Sequence, residues 1–193
     1  MDVLIDTNVI VGYYKEDVLE FTPGLVADHD PQQTGLTGSV IDLFDRFILH
    51  QNVIILDEND RILTEWRSHI PRLAQEWFNE WYIKFLQSGL IMPIPVDQNQ
   101  STSLLQRLYR QGFPNSVDKW YIRIAKSRAV SHRIANRDLI VVNLVSEDID
   151  FFDPSQKNTA RGQARFDILM SEDPPIARIT RSEGIDISCV GTY

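Results

Sequence analysis

Apolar runs alternate with amphipathic stretches along most of this chain. One run ends on Asp6 and another, 139–145, ends on a polar and acidic segment, 146–150. Runs rich in β-branched residues are typical of strands buried in a parallel sheet. The strands predicted from such runs cover 3–5, 52–56, 90–96, 139–145, 176–180 and 185–190.

Between these runs, apolar residues recur at helical spacing. The predicted helices cover 40–50, 61–70, 72–88, 98–111 and 116–128. Three of these helices have a candidate N-cap residue: Ser39, Asp60 and Ser116. The side chain of each can accept hydrogen bonds from the free N–H groups at a helix start. Strands that alternate with helices indicate an α/β fold. We expect three α/β/α layers around a central, mostly parallel sheet of four to five strands.

Two segments have less regular patterns. Residues 12–38 show no sustained period, so a long insertion or loop is predicted there. Residues 154–193 are expected to form a C-terminal extension, with a basic helix that places Lys157, Arg161 and Arg165 on one face. A chain of 193 residues with 43% apolar content can bury one core. We therefore expect 1–193 to be a single domain with the extension packed on it.

The net charge of −8 argues against a nucleic-acid partner, but the charge is unevenly distributed. Residues 1–105 hold 6 basic and 16 acidic side chains, whereas 106–193 hold 13 and 11. Between Arg107 and Arg137 there are eight basic side chains and one acid, Asp118. This stretch can bind a phosphate backbone, or it can be a solvated helix face.

Cysteine usage and hydropathy indicate the cellular setting. Cys189 is the single cysteine, which excludes an internal disulfide and a multi-cysteine zinc site. No basic leader precedes an apolar segment, and no apolar run is long enough to span a bilayer. The expectation is a soluble cytoplasmic protein that does not associate with membranes.

Carboxylates gather where the first and fourth sheet strands end. Asp6 follows the first strand, and Asp148 and Asp150 follow the fourth. Ligands of parallel sheets bind outside the carboxyl ends of the strands, so these acids are expected to share one edge. Acids held close together repel one another unless a cation compensates, and Mg²⁺ or Mn²⁺ prefers such oxygen ligands. The pattern predicts metal-assisted chemistry on phosphate.

The order of the acids resembles that in the PIN-domain nucleases. The first strand ends in Asp6-Thr7-Asn8, the helices carry Glu65 and Asp118, and the fourth strand ends in Ser146-Glu147-Asp148-Ile149-Asp150. The resemblance covers about residues 3–153. It implies a PIN-like domain that uses Mg²⁺ or Mn²⁺ to cleave RNA. The catalytic acids that it implies are Asp6, Glu65, Asp118 and Asp148.

The resemblance also implies roles around these acids. Asp6, Asp118, Asp148 and Asp150 would bind metal, with Asn8 and Ser146 as auxiliary polar groups. Lys119, Arg123 and Arg161 are the candidates for binding substrate phosphates. Besides RNA, a protein regulator or antitoxin and a second copy of the chain in a homodimer are candidate partners.

Several alternatives stay open from the residues alone. Asp57 and Glu58, at the end of the second strand, compete with Glu65 for the second acidic position. A PIN-like module that binds or scaffolds without cutting could use the insertion and the extension to hold a partner. A partner-regulated toxin or defence protein and a structure-selective DNA nuclease are the other readings of the same acids.

Overall fold

Five parallel strands form the centre of the molecule in a computed structural model that describes residues 1–20, 36–136, 138 and 140–193. The strands are β1 (Asp2–Ile5), β2 (Val53–Asp57), β3 (Ile91–Ile94), β4 (Val142–Val145) and β5 (Ile185–Ser188). They lie in the order β3-β2-β1-β4-β5, and each neighbouring pair is parallel. The predicted α/β fold with a parallel sheet of four to five strands is confirmed.

Eight α-helices connect or flank these strands in the described part of the chain. They are α1 (Thr7–Glu20), α2 (Val40–Leu49), α3 (Arg61–His69), α4 (Gln75–Gln87), α5 (Thr102–Tyr109), α6 (Lys119–Asn136), α7 (Gly162–Leu169) and α8 (Pro175–Arg181). Helix α6 packs on β4 and β5, and α8 packs on β5 and α5. The arrangement is consistent with three α/β/α layers. None of the helices among these residues is long and apolar enough to cross a membrane.

An aromatic cluster joins α1, α2 and α4. Tyr13 of α1 lies 4.4 Å from Phe44 of α2, and Phe44 lies 5.6 Å from Trp81 of α4, measured between ring centroids. Trp81 in turn lies 5.0 Å from Phe85. Trp81, Phe85 and Phe44 are buried, so these rings stabilise the helical layer through buried area and edge contacts.

The predicted loop at 12–38 is wrong for its first nine residues, because α1 continues through Gly12 to Glu20. Glycine weakens a helix, but a larger residue here would require the Leu36 side chain to shift. A Cβ at Gly12 would come within 2.8 Å of Leu36 Cδ1. Glycine therefore permits a close approach between α1 and the segment before α2. The rest of the predicted loop includes 21–35, which lie outside the described residues.

The C-terminal segment also departs from its predicted pattern. Residues 176–180, predicted as a strand, lie in α8, where Pro175 occupies the first turn and Ile176, Ala177 and Thr180 are buried. Proline is favoured at a helix start, and these three residues lie on one helical face. The predicted basic helix is wrong as well, since α7 begins only at Gly162 and leaves Lys157 and Arg161 outside it.

The strand order reverses beside β1, and this positions the candidate site. The chain passes from β1 to β2 on one side, whereas β4 pairs with the other side of β1. Ile5 is in register with Val145, and the N–H of Asp6 donates to the carbonyl of Val145 at 2.9 Å. Crevices at such a reversal are where open α/β sheets bind ligands. The residues that follow β1 and β4 therefore line the crevice expected to bind a ligand.

Candidate functional site

A cavity of about 560 Å³ opens beyond the carboxyl ends of β1 and β4. We call it the carboxylate cavity, because its lining includes Asp6, Glu65, Asp118 and Asp148. These are the four acids that the family resemblance implies as catalytic. Asn8, the auxiliary amide, lines it too. Four acids that are scattered through the sequence thus surround one opening.

Asp6 is held by hydrogen bonds at both carboxylate oxygens. Its Oδ1 accepts from the N–H of Thr7 at 2.7 Å, and its Oδ2 accepts from the Ser146 hydroxyl at 2.6 Å. The Ser146 hydroxyl in turn accepts from the N–H of Asp148 at 2.9 Å. The predicted auxiliary residue Ser146 therefore lies behind Asp6, where it couples the ends of β1 and β4.

Asp6 is also costly to ionise. It is only 4% exposed, and burial raises its pKa from 3.8 to about 8. The hydrogen bond from Ser146 lowers the pKa, while the charges of Asp148 and Asp118 contribute to the increase. Desolvation and like charge both disfavour the anion. A cation placed among these acids would reverse that effect.

Glu65 projects from the middle of α3. Its Oε2 lies 3.5 Å from the hydroxyl of Tyr121, and that hydroxyl lies 3.0 Å from Thr7 Oγ1. Burial raises the pKa of Glu65, hydrogen bonds from Thr7 and Tyr121 lower it, and the charge of Asp118 raises it. Tyr121 is fully buried. Its contact with Glu65 was not indicated by the sequence pattern.

The competing acids at the end of β2 have other positions. Asp57 is buried, and its carboxylate accepts from the N–H groups of Arg61 and Ile62 at 3.1 Å each. Asp57 therefore caps α3, whereas the predicted cap, Asp60, makes no side-chain cap hydrogen bond. Glu58 is exposed and does not line the carboxylate cavity. The geometry favours Glu65 as the second acid.

Asp118 precedes α6 directly instead of lying in its first turn. The Ser116 hydroxyl donates to its carboxylate, and its carbonyl accepts from the N–H of Tyr121 at 3.1 Å. Burial raises the pKa of Asp118, the Ser116 hydrogen bond lowers it, and the charge of Asp148 raises it. Asp118 and Asp148 both line the carboxylate cavity.

The two acids after β4 have different environments. Asp148 is partly exposed, and its Oδ1 accepts from the N–H of Asp150 at 3.0 Å. Asp150 is buried, forms an ion pair with Lys157, and does not line the carboxylate cavity. Burial raises the pKa of Asp150, and the Lys157 hydrogen bond lowers it. Of the two, Asp148 is the one placed to contact a ligand there.

Glu147 is a buried acid whose structural role the sequence did not indicate. Its Oε1 accepts from the Thr37 hydroxyl at 2.6 Å and from the N–H of Val190 at 2.9 Å. The N–H of Glu147 donates to Asn8 Oδ1 at 3.2 Å. Burial raises the pKa of Glu147, and the Thr37 and Val190 hydrogen bonds lower it. These contacts tie the C-terminal segment to the rim of the cavity.

The chemistry of this donor set fits a hard divalent cation, since Asp6, Glu65, Asp118 and Asp148 line one opening and the charges of Asp148 and Asp118 raise the pKa of Asp6. Their side chains are not yet gathered. Among the described residues, no three His, Cys, Asp or Glu side chains form a group ready to hold a metal ion. Asp118 and Asp148 are partly exposed, so their carboxylates have room to turn toward a cation. The donor set fits the ion in chemistry, and convergence on it requires rotation of these side chains.

The basic residues predicted to bind substrate are dispersed. Lys119 Nζ donates to Asn115 Oδ1 at 2.9 Å, and Arg123 lies over the Trp120 ring at 4.6 Å. Neither residue lines the carboxylate cavity, and Arg161 lies beside a neighbouring one. The cation that reaches the carboxylate cavity from α7 is Arg165, which donates to the carbonyl of Glu147. The predicted basic helix contained Arg165 but gave no reason to select it.

No family model, no curated protein and no solved structure matches this chain.

Proposed function

We propose that this chain is a divalent-metal-dependent endoribonuclease that hydrolyses RNA phosphodiester bonds in the carboxylate cavity. The observation that carries the proposal is that Asp6, Glu65, Asp118 and Asp148 line one cavity at the reversal of strand order. Burial of Asp6 and the charges of two neighbouring acids make its ionised form unfavourable without a cation. An arrangement that costs stability is expected where function requires it.

In this proposal Asp6, Asp148, Asp118 and Glu65 would hold Mg²⁺ or Mn²⁺. A bound ion of this kind supplies charge neutralisation at a phosphate and lowers the pKa of water, so that hydroxide can attack near neutral pH. Ser146 holds Asp6 in position through its 2.6 Å hydrogen bond. Tyr121 and Thr7 do the same for Glu65. Arg165 adds a positive charge at the rim of the cavity.

The PIN-like assignment rests on the order of the acids, Asp6 in Asp6-Thr7-Asn8 above all, and on their convergence at the same edge of the sheet. The preference for RNA over DNA comes from that resemblance. A toxin with an antitoxin partner, or a defence nuclease, is the biological setting that we propose with it. A structure-selective DNA nuclease would use the same four acids.

A second candidate is a PIN-like module that binds or scaffolds without cutting. It is favoured by the finding that no three candidate ligands among the described residues are already grouped. Titration calorimetry with Mn²⁺ separates the two functions. A catalytic site binds the ion, whereas a vestigial site gives no heat above that of dilution.

The direct test is incubation of labelled RNA and labelled single-stranded DNA with the protein and Mn²⁺. We expect internal cleavage of RNA that EDTA abolishes. Cleavage confined to DNA would replace the proposed substrate. If neither strand is cut while Mn²⁺ binds, the endonuclease proposal fails.

The second acid can be identified with a matched pair of variants. Glu65→Gln should lower kcat/KM by at least about 100-fold, because loss of a residue that only supports a metal ligand already costs about 10- to 100-fold. Glu58→Gln makes the same chemical change on an exposed residue outside the cavity and should leave kcat/KM unchanged. The rate of Mn²⁺-dependent RNA cleavage measures both. The reverse pattern would assign the role to Glu58.

Tyr121→Phe tests whether the Tyr121 hydroxyl positions Glu65. The hydroxyl lowers the pKa of Glu65, so its removal should raise that pKa further. We expect kcat/KM to fall about tenfold, as for a partner of a metal ligand, and the acidic limb of the pH–rate profile to move to higher pH. Tyr82→Phe removes a hydroxyl from α4, outside the cavity, and is the control. An unchanged pH profile in Tyr121→Phe would show that Tyr121 only packs.

A further inference from the structure

A second cavity, of about 310 Å³, adjoins the carboxylate cavity. We call it the basic cavity. The two share Asn8, Glu147, Asp148 and Arg165 in their linings. The shared wall means that a ligand long enough to fill the carboxylate cavity can continue past Asp148 into the basic cavity.

Three cations line the basic cavity: Lys157, Arg161 and Arg165. Arg161 Nη1 donates to the carbonyls of Lys157 and Ala160 at 3.2 and 2.8 Å. Both acceptors are neutral, so these bonds orient the guanidinium without cancelling its charge. A guanidinium has five N–H donors, and Arg161 is exposed, so donors remain for a ligand.

The other two cations are held by neighbouring groups of the fold. Lys157 forms an ion pair with the buried Asp150 while its own side chain is 52% exposed. Arg165 donates to the carbonyl of Glu147, at the end of β4. These contacts hold both side chains beside the basic cavity. Preorganised charges of this kind lose little side-chain entropy when an anion binds.

The start of α7 adds a fourth favourable group. Arg161 is the N-cap residue, and its side chain makes no cap hydrogen bond. Arg161 lines the basic cavity, and so does Arg165, one turn into α7. The first N–H groups of a helix and its positive dipole end attract anions. The helix start and the three cations therefore favour the same kind of ligand.

We infer that the basic cavity binds a phosphate group of the nucleic-acid strand, next to the phosphate held in the carboxylate cavity. This inference rests on the proposed function for its ligand. Phosphate matches the site because it presents several acceptor oxygens to guanidinium donors. The carboxylate cavity repels the same group unless its acids are neutralised, so the basic cavity supplies the strand with affinity that does not depend on the metal.

The test measures binding without cleavage. A fluorescently labelled single-stranded RNA is titrated with the protein in EDTA, and anisotropy is followed at several salt concentrations. Arg161→Gln should weaken binding about tenfold, which is typical of one lost charge-assisted hydrogen bond. The slope of log affinity against log salt should decrease by about one unit. Arg161→Lys should recover part of the affinity.

Arg46→Gln is the matched control. Arg46 lies in the last turn of α2, which ends before β2 begins and therefore lies at the opposite edge of the sheet. It should bind RNA like the wild type. The inference is overturned if the wild type does not bind, or if Arg161→Gln and Arg46→Gln bind equally well. Wild-type protein that binds through Arg161 but never cleaves would overturn the proposed function alone.

The position of the phosphate along the strand is read from the same assay. RNAs with and without a terminal phosphate are compared in the wild type and in Arg161→Gln. Tighter binding of the phosphorylated end, lost in Arg161→Gln, assigns a terminal phosphate to the basic cavity. Equal binding of both RNAs, weakened in Arg161→Gln, assigns an internal phosphodiester. Either result supports the inference.

Discussion

Replacing Asp6 with Asn is expected to abolish Mn²⁺-dependent RNA cleavage while the protein stays folded. Loss of a residue that only supports a metal ligand costs about 10- to 100-fold, so loss of a proposed direct ligand should cost at least about 100-fold. The asparagine side chain has the same shape. Its oxygen can still accept from the N–H of Thr7, and its amide can meet the Ser146 hydroxyl, the two contacts that Asp6 makes.

The control for this variant is Asp45→Asn, which makes the same change on an exposed residue of α2. It should cleave RNA at the wild-type rate. Circular dichroism and the melting temperature establish that both variants are folded. Cleavage by folded Asp6→Asn at the rate of the control would remove Asp6 from the mechanism and, with it, the main support for the nuclease proposal.

Asp6→Asn should also change how the stability of the metal-free protein depends on pH. The folded protein binds the Asp6 proton more tightly than the unfolded chain, because burial raises the pKa from 3.8 to about 8. Metal-free wild type should therefore lose stability as the pH rises between these values. The asparagine of the variant cannot ionise. The melting temperature of the variant minus that of the wild type should therefore increase from about pH 5 to about pH 8. A constant difference would show that the Asp6 carboxylate is compensated in some other way.

The acids at the strand ends were predictable because their positions depend on local sequence and a general rule of topology. An apolar run ending in Asp6 predicts a strand with a carboxylate at its end, and the same holds for Asp148. Parallel strands place such ends at one edge. The pairing of β1 with β4 then brings Asp6 and Asp148 to the same crevice.

The partners of Glu65 could not be predicted in this way. Glu65 contacts Tyr121, which is 56 residues away in sequence, and Tyr121 contacts Thr7 across 114 residues. Hydrophobic periodicity gives the buried face of α6, but it does not say which strand end or helix that face meets. The capping role of Asp57 could not be predicted either. Asp60 directly precedes the helix, which is the usual position of an N-cap residue.

The C-terminal errors show where local patterns compete. Ile176 and Ile179 suggested a strand, but the packing of α8 on β5 and α5 stabilises a helix with one buried face. For Lys157, Arg161 and Arg165, the spacing suggested one helix. Instead Lys157 pairs with the buried Asp150, and α7 begins only at Gly162. Tertiary contacts outweigh propensity in both segments.

Metal binding should release protons, because Asp6 must lose its proton to act as a ligand. With a pKa of about 8 in the metal-free protein, Asp6 is mostly protonated at neutral pH. The apparent affinity for Mn²⁺ should rise with pH up to about tenfold per unit below that pKa and level off above it. The pKa values of Glu65 and Asp118 are also raised, so their protons add to the release at the acidic end of the range.

Titration calorimetry in buffers with different ionisation enthalpies measures this release directly. About one proton per ion is expected near pH 7 and fewer above the pKa of Asp6, while Asp6→Asn should bind weakly and release no proton from this position. The bound ion should also stabilise the fold, by about 2.7 kcal/mol when its free concentration is about 100 times Kd. EDTA should remove that gain. If Mn²⁺ affinity does not change with pH across this range, Asp6 is not the ligand that the ion deprotonates. A bound cation would compensate the negative charge of the Asp6 carboxylate. Asp6 should therefore destabilise the metal-free protein but stabilise the protein once the ion is bound.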